Sequence, residues 1–168
     1  MGKGKVRMIC GPGSGKTASA IGYGMMGVFA GKTVIIVQFL KGVLSEGASG
    51  TLKRMEPEMK LFRFERSRGL FEDLSEEQKK EEFANLRNGF NFAKKVMATG
   101  ECDLLILDEV LGLLDQNIVT FEEFRELLDA RTEETDLILT GRVCPDVLRQ
   151  YVDTISYVEN IKVDNSWE

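Results

Sequence analysis

The residues best suited to chemistry are Gly11-Pro12-Gly13-Ser14-Gly15-Lys16-Thr17, which follow a short apolar run and open a helix-like stretch. Glycines let a backbone wrap so tightly that successive N–H groups point inward at an anion. The unsatisfied donors and positive dipole end of the following helix face the same anion. In such a phosphate loop Lys16 reaches phosphate oxygens and the Thr17 hydroxyl ligates Mg²⁺. The nucleotide contacts expected here are Gly11, Pro12, Gly13, Ser14, Gly15, Lys16, Thr17 and Ala18. The usual G-x-x-x-x-G-K-[S/T] pattern places glycine where this chain has Cys10.

A second cluster supports the first. Asp103-Leu104-Leu105-Ile106-Leu107-Asp108-Glu109 reads as an apolar strand ending in two carboxylates. In a phosphate-loop fold that strand is expected beside the first one, with Asp108 facing the Mg²⁺ held by Thr17. Glu109 then either helps to position the metal or orients an attacking water. Thr17, Asp108 and Glu109 are the candidate metal ligands, all oxygen donors of the kind Mg²⁺ prefers. Ligands of open parallel sheets bind at the carboxyl edge. Arg142, in Thr140-Gly141-Arg142, and Gln38 and Lys41, after the second apolar run, end strands there and are candidates for phosphate contact. A solvated strand-end side chain accounts for each of these three nearly as well.

The chain has no histidine, which removes His-based acid–base catalysis, Ser-His triads and His-ligated metals. Three kinds of chemistry stay open on these residues: hydrolysis of the nucleotide, phosphoryl transfer to a small acceptor, or transfer of another part of the nucleotide.

The elements that must position these groups alternate between short apolar runs and helical patterns, the signature of an α/β parallel sheet. Strands are expected at about residues 5–10, 33–39, 60–64, 103–108, 136–140 and 154–158. Several runs are continuous rather than alternating, as in strands covered by helices on both faces. Ser75-Glu76-Glu77-Gln78 and Thr120-Phe121-Glu122-Glu123 are capping-box patterns that start helices. Pro145 suits the first turn of a further helix through Leu148 and Val152. Gly22, Gly24 and Gly27 each cost the helix after Lys16 about 1 kcal/mol relative to alanine, which close packing on the sheet explains. Residues 42–58, with Gly42, Gly47, Gly50 and Pro57, read as a long loop, and long loops in compact domains are often functional.

At 168 residues the chain fits a single domain of a mostly parallel sheet of about six strands. A net charge of −5 argues against a nucleic-acid surface. No apolar run reaches the roughly 20 residues of a membrane span, and the N-terminus lacks a signal-peptide pattern, so a cytoplasmic protein is expected. Cys10, Cys102 and Cys144 are odd in number and widely spaced, which predicts neither a disulfide framework nor a CxxC metal site.

Taken together, the loop lacking the first glycine, Val37-Gln38-Phe39-Leu40-Lys41-Gly42, Leu107-Asp108-Glu109, Ala130-Arg131 and Leu139-Thr140-Gly141-Arg142 resemble the P-loop ATP:corrinoid adenosyltransferases of bacterial cobalamin metabolism. Order and spacing agree from about residue 5 to residue 160. The resemblance implies a RecA-like fold, usually a homodimer, with ATP and a reduced corrinoid as substrates and a cellular reductant supplying Co(I). It implies transfer of the 5′-deoxyadenosyl group to cobalt with release of triphosphate. The nucleotide would lie reversed relative to ordinary P-loop ATPases, presenting C5′ to the acceptor. It adds Arg131 to the nucleotide contacts and gives Lys16, Thr17, Glu109 and Arg142 the catalytic roles. Phe71 is the nearest candidate for an aromatic that helps displace the lower cobalt ligand. Residues 42–58 and a dimer partner are expected to cover the corrinoid.

Overall fold

Runs such as Val34-Ile35-Ile36-Val37 and Leu104-Leu105-Ile106-Leu107 bury both faces of a strand only in a sheet covered on either side. The computed structural model, which describes residues 4–40, 46–64 and 73–163, has that arrangement. Strands β1 (Val6–Cys10), β2 (Val34–Gln38), β3 (Met59–Arg63), β4 (Leu104–Asp108), β5 (Asp136–Gly141) and β6 (Thr154–Tyr157) form one sheet in the order β3-β2-β4-β5-β1-β6. Every neighbouring pair is parallel. The architecture is a single-domain, RecA-like α/β fold.

Among the described residues five α-helices cover the sheet: α1 (Lys16–Phe29), α2 (Glu46–Lys53), α3 (Glu76–Thr99), α4 (Val110–Asp115) and α5 (Phe121–Asp129). On one face Ala20 of α1 and Leu52 of α2 pack over Ile9, Ile36, Met59 and Ile106. On the other, Leu86 and Phe90 of α3, Leu111 of α4 and Phe124 of α5 pack over Met8, Val37, Leu107 and Leu139. Both predicted capping boxes form. Ser75 Oγ accepts the Gln78 N–H at 3.2 Å while Gln78 Oε1 accepts the Ser75 N–H at 3.0 Å, and Thr120 and Glu123 do the same at 3.2 and 2.8 Å. Gly24 brings α1 onto the sheet, since a Cβ there would stand 2.9 Å from Met59 Cε and 3.1 Å from Ile106 Cδ1. Gly22 faces open space, so packing does not explain it.

Four expectations change. The stretch read as a long loop over 42–58 contains α2, while residues 41–45 lie outside the described residues. Helix α4 was not anticipated; six residues are too few to show helical periodicity. After Pro145 the chain makes a 3₁₀ turn, Asp146–Tyr151, and Pro145 itself is extended at ψ 119° and stands before the turn. Finally, β4 does not lie beside β1, because β5 is inserted between them. Among the described residues no helix is long and apolar enough to cross a membrane.

Candidate nucleotide site

The carboxyl ends of β1, β2, β4 and β5 share one edge of the sheet. Register makes Gln38 the partner of Asp108 and Cys10 the partner of Gly141. The chain leaves β1 through the phosphate loop and enters α1 at Lys16. Gly15 caps the helix at φ 95°, a left-handed conformation that disfavours any side chain, although a Cβ would meet nothing. Lys16, Thr17 and Ala18 form the first helical turn, whose N–H groups have no partner within the helix. That turn carries no acidic residue to compete with a bound anion.

Gly13 serves a different need. Its N–H donates to the carbonyl of Val158, just past β6, at 2.8 Å, and a Cβ would stand 2.8 Å from that oxygen. Ser14 is held from the same segment, donating its N–H to Asn160 Oδ1 at 3.3 Å and accepting Asn160 Nδ2 on its hydroxyl at 3.2 Å. The chain beyond β6 is thus the outer wall of the loop. Sequence reasoning missed Val158 and Asn160, and no local signal marks a contact made across 146 residues.

Lys16 is buried and its ammonium donates to the carbonyl of Gly13, within its own loop. Thr17 Oγ1 stands 3.0 Å from both carboxylate oxygens of Asp108 and shares its one proton between them, so α1 reaches across β5 to the acidic strand. Asp108 is 1% exposed and takes two further donors: Gln38 Nε2 to Oδ2 at 3.0 Å and Thr140 Oγ1 to Oδ1 at 2.8 Å. Gln38 Oε1 is buried with no hydrogen-bond partner. Thr17 Oγ1 and the Asp108 carboxylate are hard oxygen donors of the kind a small divalent cation takes, and the Gln38 amide oxygen is a buried acceptor left unsatisfied.

Glu109 is half-buried and adopts φ 61° as the N-cap of α4. Burial, and then the neighbouring Asp108 charge, push its carboxyl above the usual range, while Lys16 and Arg142 pull it back. Both cations therefore share an electrostatic neighbourhood with Glu109. Arg142 is exposed. Gly141 lets α4 close on β5, because a Cβ there would stand 3.2 Å from Leu111 Cδ1 and closer still to its Cβ.

Lys16, Thr17, Gln38, Asp108, Glu109 and Arg142 thus meet on one edge, with Gly11, Pro12, Gly13, Ser14, Gly15 and Ala18 around them. Arg131 does not join them. Its guanidinium donates to the carbonyls of Gly4 at 2.9 Å and Thr135 at 2.7 Å, at the amino end of the sheet. It precedes β5 rather than following a strand, which puts it at the opposite edge. Lys41 and Phe71 lie outside the described residues. A disulfide joins Cys10 to Cys144 with Cα atoms 5.5 Å apart, against the expectation of no pairing. Adjacent parallel strands bring the start of the loop and the segment after Arg142 together, which sequence separation hides. A hollow of about 290 Å³ lined by Arg7, Tyr23, Met26 and Asp136 opens at the amino end of β1 and β5, away from Lys16.

The sequence profile of the family described as ATP:corrinoid adenosyltransferase BtuR/CobO/CobP matches residues 2–166. The corrinoid adenosyltransferase of Escherichia coli K12 is 28% identical over 160 residues, covering 95% of this chain and 79% of that protein. The corrinoid adenosyltransferase CobA of Salmonella typhimurium LT2 matches with the same identity and coverage. The corrinoid adenosyltransferase of Pseudomonas aeruginosa is 24% identical over 152 residues, 90% of this chain and 73% of that one.

Proposed function

The chain belongs to the ATP:corrinoid adenosyltransferase BtuR/CobO/CobP family, and from that premise we propose that it transfers the 5′-deoxyadenosyl group of ATP to the cobalt of a Co(I) corrinoid. One observation carries the reading. The polar groups gathered at the carboxyl edge are of the kinds that suit a triphosphate, and the chain has no histidine to act as a base. Co(I) needs none. It is itself the nucleophile, and its electron pair forms the Co–C5′ bond. The pair of the broken C5′–O bond leaves with triphosphate, and cobalt is formally oxidised to Co(III).

The chain's own residues then have two tasks, alignment of cobalt with C5′ and stabilisation of the leaving charge. The amides of Lys16, Thr17 and Ala18, the Lys16 ammonium and the Arg142 guanidinium serve the second. Thr17 and Asp108 would hold Mg²⁺, with Glu109 and the free Gln38 oxygen beside them; the ion supplies charge neutralisation for the phosphates. Glu109 shares the electrostatic neighbourhood of Lys16 and Arg142 and has no nucleophile to activate, because cobalt supplies its own electron pair. The working protein is a cytoplasmic homodimer, and electrons from a cellular reductant bring the corrinoid's cobalt to Co(I).

The test is product identity. An anaerobic mixture of ATP, Mg²⁺ and Co(I) corrinoid should release triphosphate, matched one for one by adenosylated corrinoid. ADP or orthophosphate without adenosylcorrinoid would mean that water or a hydroxyl attacks phosphorus, and the proposal would fall.

A further inference from the structure

We propose that Thr140 is a positioning residue whose single hydroxyl sets both carboxylates of the site. The inference rests on the metal-assisted nucleotide reading of the edge but not on the identity of the acceptor. The backbone ladder between β4 and β5 runs from Leu104↔Asp136 to Leu107↔Leu139 and pairs nothing beyond. Past that point the two chains part, because Glu109 turns left-handed and α4 begins at Val110. The N–H of Glu109 therefore has no strand partner. Thr140 Oγ1 accepts it at 2.8 Å.

The same oxygen donates its one proton to Asp108 Oδ1 at 2.8 Å. A hydroxyl has one donor and two acceptor positions, and this one uses a donor and an acceptor at once. Thr140 is fully buried, so both of its bonds are shielded from bulk water. It thus secures the turn that aims Glu109, and it fixes the rotamer of Asp108 from the side opposite Gln38, which holds Oδ2. Thr17 bridges both oxygens but belongs to the phosphate loop, so it couples the carboxylate to the nucleotide rather than to the sheet. The consequence is specific. Removing the Thr140 hydroxyl should damage metal-dependent binding and spare the phosphate cradle itself, because neither Lys16 nor the α1 amides touch it.

Thr140→Val keeps the shape and deletes the hydroxyl, while Thr140→Ser keeps the hydroxyl. Each is titrated calorimetrically with Mg²⁺ at saturating ATP, and with ATP in the presence of EDTA, alongside the melting temperature. The expected result is a loss of Mg²⁺ affinity at saturating ATP in Thr140→Val of about ten- to a hundredfold, as for other residues that orient metal ligands. Metal-free ATP binding should stay near the parent value, and Thr140→Ser should restore the metal response. A lowered melting temperature with unchanged Mg²⁺ affinity, equal loss with and without metal, or a serine variant as poor as valine each overturns the assignment. If the valine variant does not fold, the serine variant compared with Thr140→Ala carries the same test. Both readouts use ATP and Mg²⁺ without corrinoid, so they stay decisive even if product analysis refutes adenosyl transfer.

Discussion

The carbonyl of Val158 accepts the backbone N–H of Gly13 at 2.8 Å, so the segment beyond the last strand forms a wall of the phosphate loop built from the first. Gly13→Ala would place a Cβ 2.8 Å from that oxygen and 2.9 Å from Glu159 Cα, both backbone atoms that cannot swing aside. The loop must shift, and nucleotide affinity should fall well below the parent's. Gly22→Ala is the matched control, since its Cβ would meet open space. That variant should gain up to about 1 kcal/mol from helix propensity, with ATP binding unchanged. Equal ATP affinity in both variants by calorimetry would contradict the wall.

Lys16→Ala should lose about ten- to a hundredfold in ATP affinity, the range of a charge-assisted contact. Its melting temperature should change little, because the ammonium donates only within its own loop, to Gly13. Undiminished ATP binding would remove the phosphate cradle from the account.

Glu123 caps α5 and pairs with Arg87 at 2.5 Å, and the hydrogen bond from Arg87 holds its carboxyl down at about 2, against an ordinary 4.5. A depressed carboxyl stabilises the fold fully above its unfolded value and loses that contribution as pH falls. Acidification from 4.5 toward 2 should therefore erode it. Both side chains are about one-third exposed, 36% and 33%, so solvent screens the pair and its share is about 1 kcal/mol. Urea denaturation of the parent and of Glu123→Gln at a series of pH values checks this: the gap between them should narrow below 4.5. A constant gap would exclude the pair as its origin.

Cys102 is buried, and burial pushes its thiol up to about 12. Little thiolate exists at neutral pH, so it should resist alkylation until the chain unfolds. Mass analysis should find no labelled cysteine in the native, unreduced protein. One should appear after denaturation, and all three after denaturation with reductant. Labelling of Cys102 in the native state would contradict its burial.

The strands and helices α1, α3 and α5 were legible along the chain because they depend on local pattern, whereas α2 was not. Continuous apolar runs marked β2 and β4, and the Ser75 and Thr120 capping boxes formed where the spacing put them. The loop residues from Gly11 to Thr17 were legible too, since a glycine-rich turn between strand and helix needs no distant partner to be recognised. Helix α4 was not, because its start depends on the left-handed turn of Glu109, which Thr140 secures from another strand.

By itself, then, the sequence determined the α/β class, the glycine-rich loop between the first strand and helix, the acidic strand end and the absence of any histidine base. Tertiary structure alone decided the strand order that inserts β5 between β1 and β4. It alone sent Arg131 to the far edge, joined Cys10 to Cys144, and set Val158 against Gly13. The physical reason is the same in each case. Backbone and side-chain partners at sequence separations above 100 residues are chosen by how the sheet stacks its strands, and no local period or motif encodes that choice.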